Sequence, residues 1–172
     1  MRWLCTVFVV LGACGSKTKQ VSFLDDAYCL DYPASWSVRK DLNKSANLQL
    51  GNNFAEAYLI VISESKASLR QDMNLQDFSR ITRGFLEKAH PDLHSFEPEF
   101  LTINGLSALR FTLKGRAGDL RLKYWHYSLE DETHFHQILI WSLQDTFGRN
   151  QLDFERTALS FRRNPAIAGR EV

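Results

Sequence analysis

Three histidines in the second half of the chain have a spacing that could bind a metal ion. His134 and His136 are two residues apart in a predicted strand, so their side chains project from the same face. A three-residue turn at 130–132 would place His126, on the preceding strand, directly opposite His136. Imidazole nitrogens are good ligands for zinc and copper. The sequence therefore offers one candidate zinc or copper site, provided that this register holds; a slip of one residue separates His126 from the pair.

Other polar clusters in the sequence indicate structure rather than catalysis. Asp25, Asp26 and Asp31 and the acidic run at 130–132 stand at or beside predicted turns, where carboxylates usually bind local backbone amides. No serine lies in a G-x-S-x-G elbow, and no glycine-rich phosphate loop is present. The sequence therefore favours a non-enzymatic protein without a cofactor. A metal-binding protein that uses the three histidines is the alternative, and a hydrolase is a weaker one.

A short apolar run that begins at Trp3 ends in four residues, Leu11, Gly12, Ala13 and Cys14. The run is too short for a membrane-spanning helix, which needs roughly 20 residues, and has the length of a signal-peptide apolar region, about 7 to 15 residues. The L-G-A-C tetrad resembles the lipobox of bacterial lipoproteins. That resemblance implies cleavage before Cys14, a diacylglycerol on its thiol, and an acylated protein held at the envelope membrane by lipid. Gly15 stands where an aspartate retains some lipoproteins at the inner membrane, which favours the periplasmic side of the outer membrane.

These features divide the 172 residues into four segments. We expect a signal peptide at 1–13, a lipidated cysteine and short tether at 14–20, a single domain at 21–163, and a flexible tail at 164–172. An apolar fraction of 44% with 24% charged residues is typical of a globular chain. Loss of Arg2 with the signal peptide leaves 20 cationic and 20 acidic residues. No cluster of positive charge stands out in the sequence, so nucleic acid is not an expected partner.

The remaining patterns predict short strands and two amphipathic helices. Strands are expected at 21–24, 27–32, 36–40, 46–50 and 57–63, and again at 96–103, 106–113, 119–129 and 133–143. Asn104-Gly105 between the sixth and seventh strands is a strong hairpin signal, because type I′ turns need positive φ at both central residues. The middles of the last two strands are apolar on both faces, so each face of the sheet must be covered.

The first predicted helix begins after Asn74, which can cap it, and ends before Pro91. Its expected buried stripe consists of Leu75, Phe78, Ile81, Phe85 and Ala89. The second predicted helix spans 151–161 and carries Leu152, Phe154, Ala158, Leu159 and Phe161. Residues from Arg162 onward show no pattern. The tryptophans Trp36, Trp125 and Trp141 are expected in the core. Cys29 has no intramolecular disulfide partner once Cys5 is cleaved off and Cys14 is acylated, and we expect it to be buried and inert.

One segment is similar to the sequence signature near the N terminus of the Mog and PsbP superfamily, which includes DcrB-type proteins. This segment is Leu30-Asp31-Tyr32-Pro33-Ala34-Ser35-Trp36. The hairpin before residues 108–111 and a terminal helix that closes on Ser160-Phe161 add to the resemblance, which covers about residues 21–163. It implies a mainly antiparallel sheet in a three-layer α/β/α sandwich without a shared active site. It also implies a binding or assembly role beside an envelope protein partner.

Overall fold

A computed structural model describes residues 17–168. Eleven strands are present among them: β1 Thr18–Phe23, β2 Tyr28–Pro33, β3 Ser37–Val38, β4 Leu48–Asn52, β5 Ala57–Ser65, β6 His94–Ser95, β7 Glu99–Ile103, β8 Leu106–Ala117, β9 Leu120–Glu130, β10 His134–Leu143 and β11 Arg162–Arg163. The α-helices of this part of the chain are α1 Leu75–Ala89, α2 Phe147–Leu159 and the short α3 Pro165–Ala168. None of these helices has both the length and the apolar character to cross a bilayer.

A large antiparallel sheet forms the centre of the molecule, with the strand order β3-β4-β5-β10-β9-β8-β6, and β7 also pairs with β8. The apolar strand β5 lies inside this sheet, as its sequence predicts. The hairpin between β7 and β8 is confirmed: Ile103 pairs with Leu106, and Asn104 and Gly105 have φ values of 48° and 86°. Both values lie in the left-handed region, which Asn and Gly tolerate best.

The two faces of the large sheet are covered by different elements. Helix α1 packs on β8 and β9, on the face that carries Phe111, Tyr124 and Phe135. Helix α2 packs on the opposite face, where its Phe147 and Phe154 join Trp125 in the larger core. Strand β2 contacts α2 on this second side. The expected mainly antiparallel, three-layer α/β class is confirmed.

A second, three-stranded sheet was not expected, because it uses residues from the predicted patternless tail. Its order is β1-β2-β11, and Arg162 and Arg163 pair with Cys29 and Tyr28. The Asn164 amide then donates to the carbonyl of Ala27 at 2.9 Å. The interpretation of the residues from Arg162 onward as patternless is wrong as far as Asn164. These residues gain order from pairing with the beginning of the chain, which local sequence does not reveal.

Helix α1 is capped as predicted, but its buried stripe is different. The Asn74 side chain accepts a hydrogen bond from the Asp77 amide at 2.9 Å. The buried positions of the helix are Leu75, Phe78, Ser79 and Thr82. Phe85 is 68% exposed, and Ala89 is exposed as well. The helix is therefore rotated so that two small hydroxyl residues face the sheet, where the Ser79 and Ser128 hydroxyls lie 2.9 Å apart.

Helix α2 begins four residues earlier than predicted, because Phe147 is part of its first turn and is buried. Phe154, Ala158 and Phe161 are buried as expected, whereas Leu152 and Leu159 are exposed and do not belong to the buried stripe. Trp36 and Trp125 are confirmed as core residues, and Trp141 is partly buried. Leu120, expected in an apolar strand centre, is 55% exposed at the start of β9.

Candidate functional site

The three histidines do not converge. In the β9–β10 pairing, Leu139 lies opposite His126, and Leu129 lies opposite His136. Cross-strand partners project from the same face, so His126 is on the α1 side of the sheet and His136 is on the α2 side. The expected register, with His126 opposite His136, is wrong, and so is the metal site that uses all three side chains. The expected grouping of Leu122 and Tyr124 with Ile138 and Ile140 on one face fails for the same reason.

The Asp131 side chain stabilises the turn that goes with this register. Its Oδ1 accepts hydrogen bonds from the backbone amides of Thr133 and His134, both at 2.8 Å. The turn is closed by the Asp131 amide, which donates to the His134 carbonyl at 3.0 Å. Regular pairing then starts at Glu130 and Phe135. The pairing of β9 with β10 is therefore shifted by three residues, because His126 lies opposite Leu139 and not opposite His136. A shift by an odd number of residues moves His126 to the other face of the sheet.

Asp131 is also the centre of a buried polar cluster between the two sheets. Its Oδ2 accepts a hydrogen bond from the Tyr28 hydroxyl at 2.6 Å and another from Arg163 Nε at 3.3 Å. His136 Nε2 lies 3.6 Å from the same oxygen. The Asp131 side chain is only 3% exposed. One carboxylate thus joins β2, β11 and the β9–β10 turn.

The protonation states in this cluster follow from the contacts. Burial alone raises the pKa of Asp131, but His136, the Tyr28 hydroxyl and the two backbone amides outweigh it and hold that pKa well below its usual range. Burial and the bond to Asp131 raise the pKa of Tyr28 to about 12. Burial lowers the pKa of His136, against the opposing effect of Asp131. At neutral pH the cluster therefore contains an aspartate anion, a neutral histidine and a protonated tyrosine.

His134 and His136 remain neighbours, with ring centroids 5.8 Å apart. Each has a ring nitrogen beside a hydroxyl: His134 Nδ1 lies 2.9 Å from Thr133 Oγ1, and His136 Nδ1 lies 2.9 Å from Ser63 Oγ. Within residues 17–168 there is no group of three or more His, Cys, Asp or Glu side chains arranged to hold a metal ion. The structure therefore brings two of the three predicted ligands together, as part of a hydrogen-bonded network.

Ser63, His136 and Asp131 form a serine–histidine–acid line that sequence reasoning missed. The three residue types are those of a hydrolase triad, in which the nucleophile must reach a substrate. Here the His136 side chain is completely buried. A neighbouring open groove of 590 Å³ is lined by Asp131, Asn104, Glu132 and Arg163, but neither Ser63 nor His136 lines it. Without a G-x-S-x-G motif, no sequence signal pointed to Ser63, because strand pairing alone brings it to His136.

His126 lies under α1 and is 1% exposed. Its ring stacks near Phe111, with centroids 6.5 Å apart. Burial lowers the pKa of His126 to about 4; the nearby Gln137 side chain opposes this shift, and Arg83 adds to it. The side chain is therefore neutral at physiological pH and belongs to the interface between α1 and the sheet.

Cys29 is the second residue of β2, is fully buried, as expected, and is a free thiol. Burial raises the pKa of Cys29, with a smaller opposing effect from Arg162. Because the effect of burial is the larger, the thiol is protonated and unreactive at neutral pH.

The predicted lipobox, Leu11, Gly12, Ala13 and Cys14, lies outside the described residues. The first described residue is Lys17, whose carbonyl accepts a hydrogen bond from the Ala34 amide at 2.7 Å. This contact fixes where the chain enters the domain, three residues after Cys14.

No family model matches this chain, and no curated protein matches it by sequence. Solved structures with a similar fold do exist. Cyanobacterial PsbP (CyanoP) from Synechocystis has a TM-score of 0.64 at 16% identity, over 89% of this chain and 98% of that one. LpqN of Mycobacterium tuberculosis, described as involved in cell envelope biogenesis, has a TM-score of 0.64 at 13% identity, over 87% of this chain and 91% of that one.

A Pseudomonas aeruginosa protein of unknown function gives a TM-score of 0.56 at 11% identity, over 86% of this chain and 98% of that one. At these identities the similarity concerns the fold. The likeness to CyanoP agrees with the signature phrase at 30–36 and with the three-layer architecture. The chain therefore has a PsbP-like fold.

Proposed function

We propose that this protein is a non-enzymatic lipoprotein of the bacterial cell envelope, anchored through Cys14, that binds or helps to assemble an envelope protein partner. The observation that carries the proposal is the entry point of the chain. Lys17 is bound to Ala34 at the surface of the domain, and three peptide units from Cys14 to Lys17 span at most about 11 Å. An acylated Cys14 would therefore keep the folded domain directly beside the bilayer.

The polar side chains of the candidate site support a role without catalysis. Asp131, Tyr28 and His136 bind one another inside the domain, and Arg163 completes the cluster. The contacts of Asp131 and Tyr28 use groups that could otherwise act as acid or ligand, whereas the buried His136 Nε2, 3.6 Å from Asp131 Oδ2, forms no hydrogen bond within the described residues. The hydrogen bonds from Tyr28 and Arg163 to Asp131 stabilise one arrangement of the two sheets.

The fold similarity to LpqN supports the envelope as the location, because that protein is described as involved in cell envelope biogenesis. Gly15 beside the proposed lipidated cysteine favours the outer membrane, on its periplasmic side.

The surface that fits a protein partner best is the outer edge of β7. This strand pairs with β8 on one side, so an incoming strand could bind its free edge. Phe100 on β7 is 72% exposed and lines a groove of 370 Å³ beside Leu75 and Gln76 of α1. An exposed aromatic side chain beside an open edge is typical of an interaction site.

The anchor is tested by mass spectrometry and fractionation of the protein from its native host. We expect a mature chain that begins at acylated Cys14 and sediments with outer membranes, and a Cys14→Ala variant that is neither acylated nor processed. An unmodified N terminus in the native protein would contradict the anchor.

The partner surface is tested by a photoreactive amino acid at position 100 in intact membranes. The matched control is position 54, because Phe54 is 100% exposed but lies in the turn between β4 and β5, away from β7. We expect one defined envelope protein to crosslink at position 100, and the crosslink to be lost in Cys14→Ala. Equal crosslinking at both positions, or none at either, would count against a partner at β7.

A further inference from the structure

We propose that the outer half of the β8–β9 hairpin is a binding surface for an anionic phospholipid bilayer. The inference deepens the proposed function, since it assumes that Cys14 carries the anchor, and it assigns which end of the domain faces the lipid. The surface consists of four cationic side chains, called here the cation stripe: Lys114, Arg116, Arg121 and Lys123.

Strand pairing sets like charges directly opposite each other in this stripe. Lys114 pairs with Lys123, and Arg116 pairs with Arg121. Partners in an antiparallel pair project from one face, and residues two apart share that face, so all four side chains lie on one side of the hairpin. Like charges placed opposite each other destabilise a hairpin. An anionic surface beside the stripe removes that repulsion.

The carboxylates of the domain neutralise only part of the positive charge of the cation stripe. The arginines contact exposed carboxylates, Arg116 with Asp119 at 3.9 Å and Arg121 with Asp145 at 3.3 Å. In the part of the chain that the structure describes, neither lysine forms a salt bridge. Lys123 Nζ lies 4.1 Å from the centre of the Phe147 ring, and Lys114 Nζ lies 5.1 Å from that of Phe96. The two ammonium groups therefore rest against aromatic rings in partly buried positions, without a salt bridge to a carboxylate of the described residues.

The cation stripe lies at the end of the large sheet near which β1 starts. At this end Leu122 pairs with Leu143, Trp141 pairs with Tyr58, and the turn at 53–56 joins β4 to β5. Ser37 pairs with Gly51 near that turn, so β3 begins at the same end.

Strand β2 runs toward this end and finishes at Pro33, four residues before Ser37. Thr18 pairs with Pro33, so β1 starts on the same side of the domain. We call this the tether end.

Two apolar side chains project from turns at the tether end. Phe54 is 100% exposed, and Leu120, directly after the β8–β9 turn, is 55% exposed. Leu120 projects from the face of the hairpin opposite the cation stripe, and Phe54 lies in the β4–β5 turn, so the apolar tips share the tether end with the cations and not their face. Apolar and cationic groups together bind the interface of an anionic bilayer. The structure therefore supplies both the charge and the apolar contact at the end that the anchor would hold.

The opposite end of the domain carries acidic turns. Asp25 and Asp26 form the β1–β2 turn, and Glu130, Asp131 and Glu132 lie at the β9–β10 turn. Glu130 pairs with Lys66 at 3.2 Å and Glu132 pairs with Arg163 at 3.3 Å, so these cations of the opposite end are already neutralised, unlike the two lysines of the cation stripe.

The test uses the full protein purified from its membranes and reconstituted into vesicles of phosphatidylcholine alone or with one quarter phosphatidylglycerol. A fluorophore is placed at Leu120→Cys or, as control, at Glu132→Cys, and a nitroxide lipid headgroup quenches it. We expect strong quenching at position 120 in the anionic vesicles only, and little at position 132. Lys114→Gln with Lys123→Gln should lower the membrane-facing population by about 25-fold, since each cation contributes roughly fivefold. Lys40→Gln with Lys44→Gln is the charge-matched control and should change it less than about threefold.

The outcomes separate this inference from the anchor. Equal quenching at positions 120 and 132, or no effect of the lysine double variant, would overturn the orientation while acylation of Cys14 could still stand. If mass spectrometry shows no acyl group, the purified chain is added to preformed vesicles instead. Binding to the anionic vesicles that depends on the two lysines would then support the cation stripe without the anchor. Binding of an acidic protein to the stripe, with vesicles inert, would overturn the proposal.

Discussion

Asp131 shows how one side chain can fix both a register and a domain contact. Its two oxygens serve different purposes: Oδ1 shapes the β9–β10 turn, and Oδ2 binds Tyr28 and Arg163 from the smaller sheet. The same carboxylate faces the ring of His136. In the sequence, this region is an acidic turn next to a pair of histidines. In the folded chain, it joins the two sheets.

Replacing Asp131 by Asn should destabilise the protein by about 3 kcal/mol, because a buried charge that accepts several hydrogen bonds is lost while Arg163 stays. Tyr28→Phe removes one of those bonds and should cost about 1 to 2 kcal/mol. Urea unfolding at neutral pH measures both. A change below about 0.5 kcal/mol for Asp131→Asn would show that the cluster contributes little.

His126 should make the protein less stable in acid. Its pKa falls from 6.5 in the unfolded chain to about 4 in the fold, so the unfolded chain binds the proton first. The stability that the neutral side chain contributes is therefore present above pH 6.5 and is lost as pH falls from 6.5 to 4, by about 3 kcal/mol in total. His126→Leu should remove this part of the pH dependence, as measured by urea unfolding across that range. An identical pH profile in both proteins would contradict the assignment.

Helix α1 shows the limit of reading periodicity from apolar residues alone. Phe85 and Ala89 extend an apolar pattern of three- and four-residue intervals, yet both are exposed. The helix faces the sheet through Ser79 and Thr82, whose side chains are small. Their hydroxyl groups are hydrogen-bonded: that of Thr82 donates to the Phe78 carbonyl at 2.9 Å, and that of Ser79 contacts the Ser128 hydroxyl. Close approach of the helix to the sheet favours small residues at the contact. The spacing of large apolar residues therefore does not predict which side of α1 is buried.

Truncation of two phenylalanines of α1 tests that orientation. Phe78→Ala should cost about 3 to 5 kcal/mol, because a buried ring that stacks on Phe135 is removed. Phe85→Ala should change the free energy of unfolding by less than about 0.5 kcal/mol, since its ring is exposed. Thermal or urea unfolding of the two variants gives the comparison. Equal losses would mean that Phe85 packs in the core.

At the scale of the whole domain, residues 162–164 contact β2 and the β1–β2 turn. Strand β11 pairs with β2, Arg162 contacts Asp31 at 3.1 Å, and the Asn164 side chain donates to the Asp26 carbonyl at 2.8 Å. The smaller sheet that lies beside the proposed anchor therefore depends on residues near the end of the chain.

Deleting residues 162–172 should destabilise the domain by about 3 kcal/mol or more, because a paired strand and the Arg163 contact to Asp131 are lost. Deleting 165–172 keeps these contacts and should cost less than about 1 kcal/mol. Hydrogen exchange at the β2 amides locates the effect, since only the longer deletion should expose them. Unchanged protection of β2 in both would contradict this role of β11.

The sequence by itself determined most of the strands, the Asn104-Gly105 hairpin, the Asn74 cap, the burial of Cys29 and the class of fold, although the single strand expected at 96–103 is replaced by the short β6 and by β7, which begins at Glu99. These depend on alternation of side chains, turn residues and capping, which act over a few neighbouring residues. Only the tertiary structure decided the register of β9 on β10, the rotation of α1, the pairing of β11 and the cluster around Asp131. Each of these joins residues far apart in the chain, through contacts whose free energy exists only once the layers are packed.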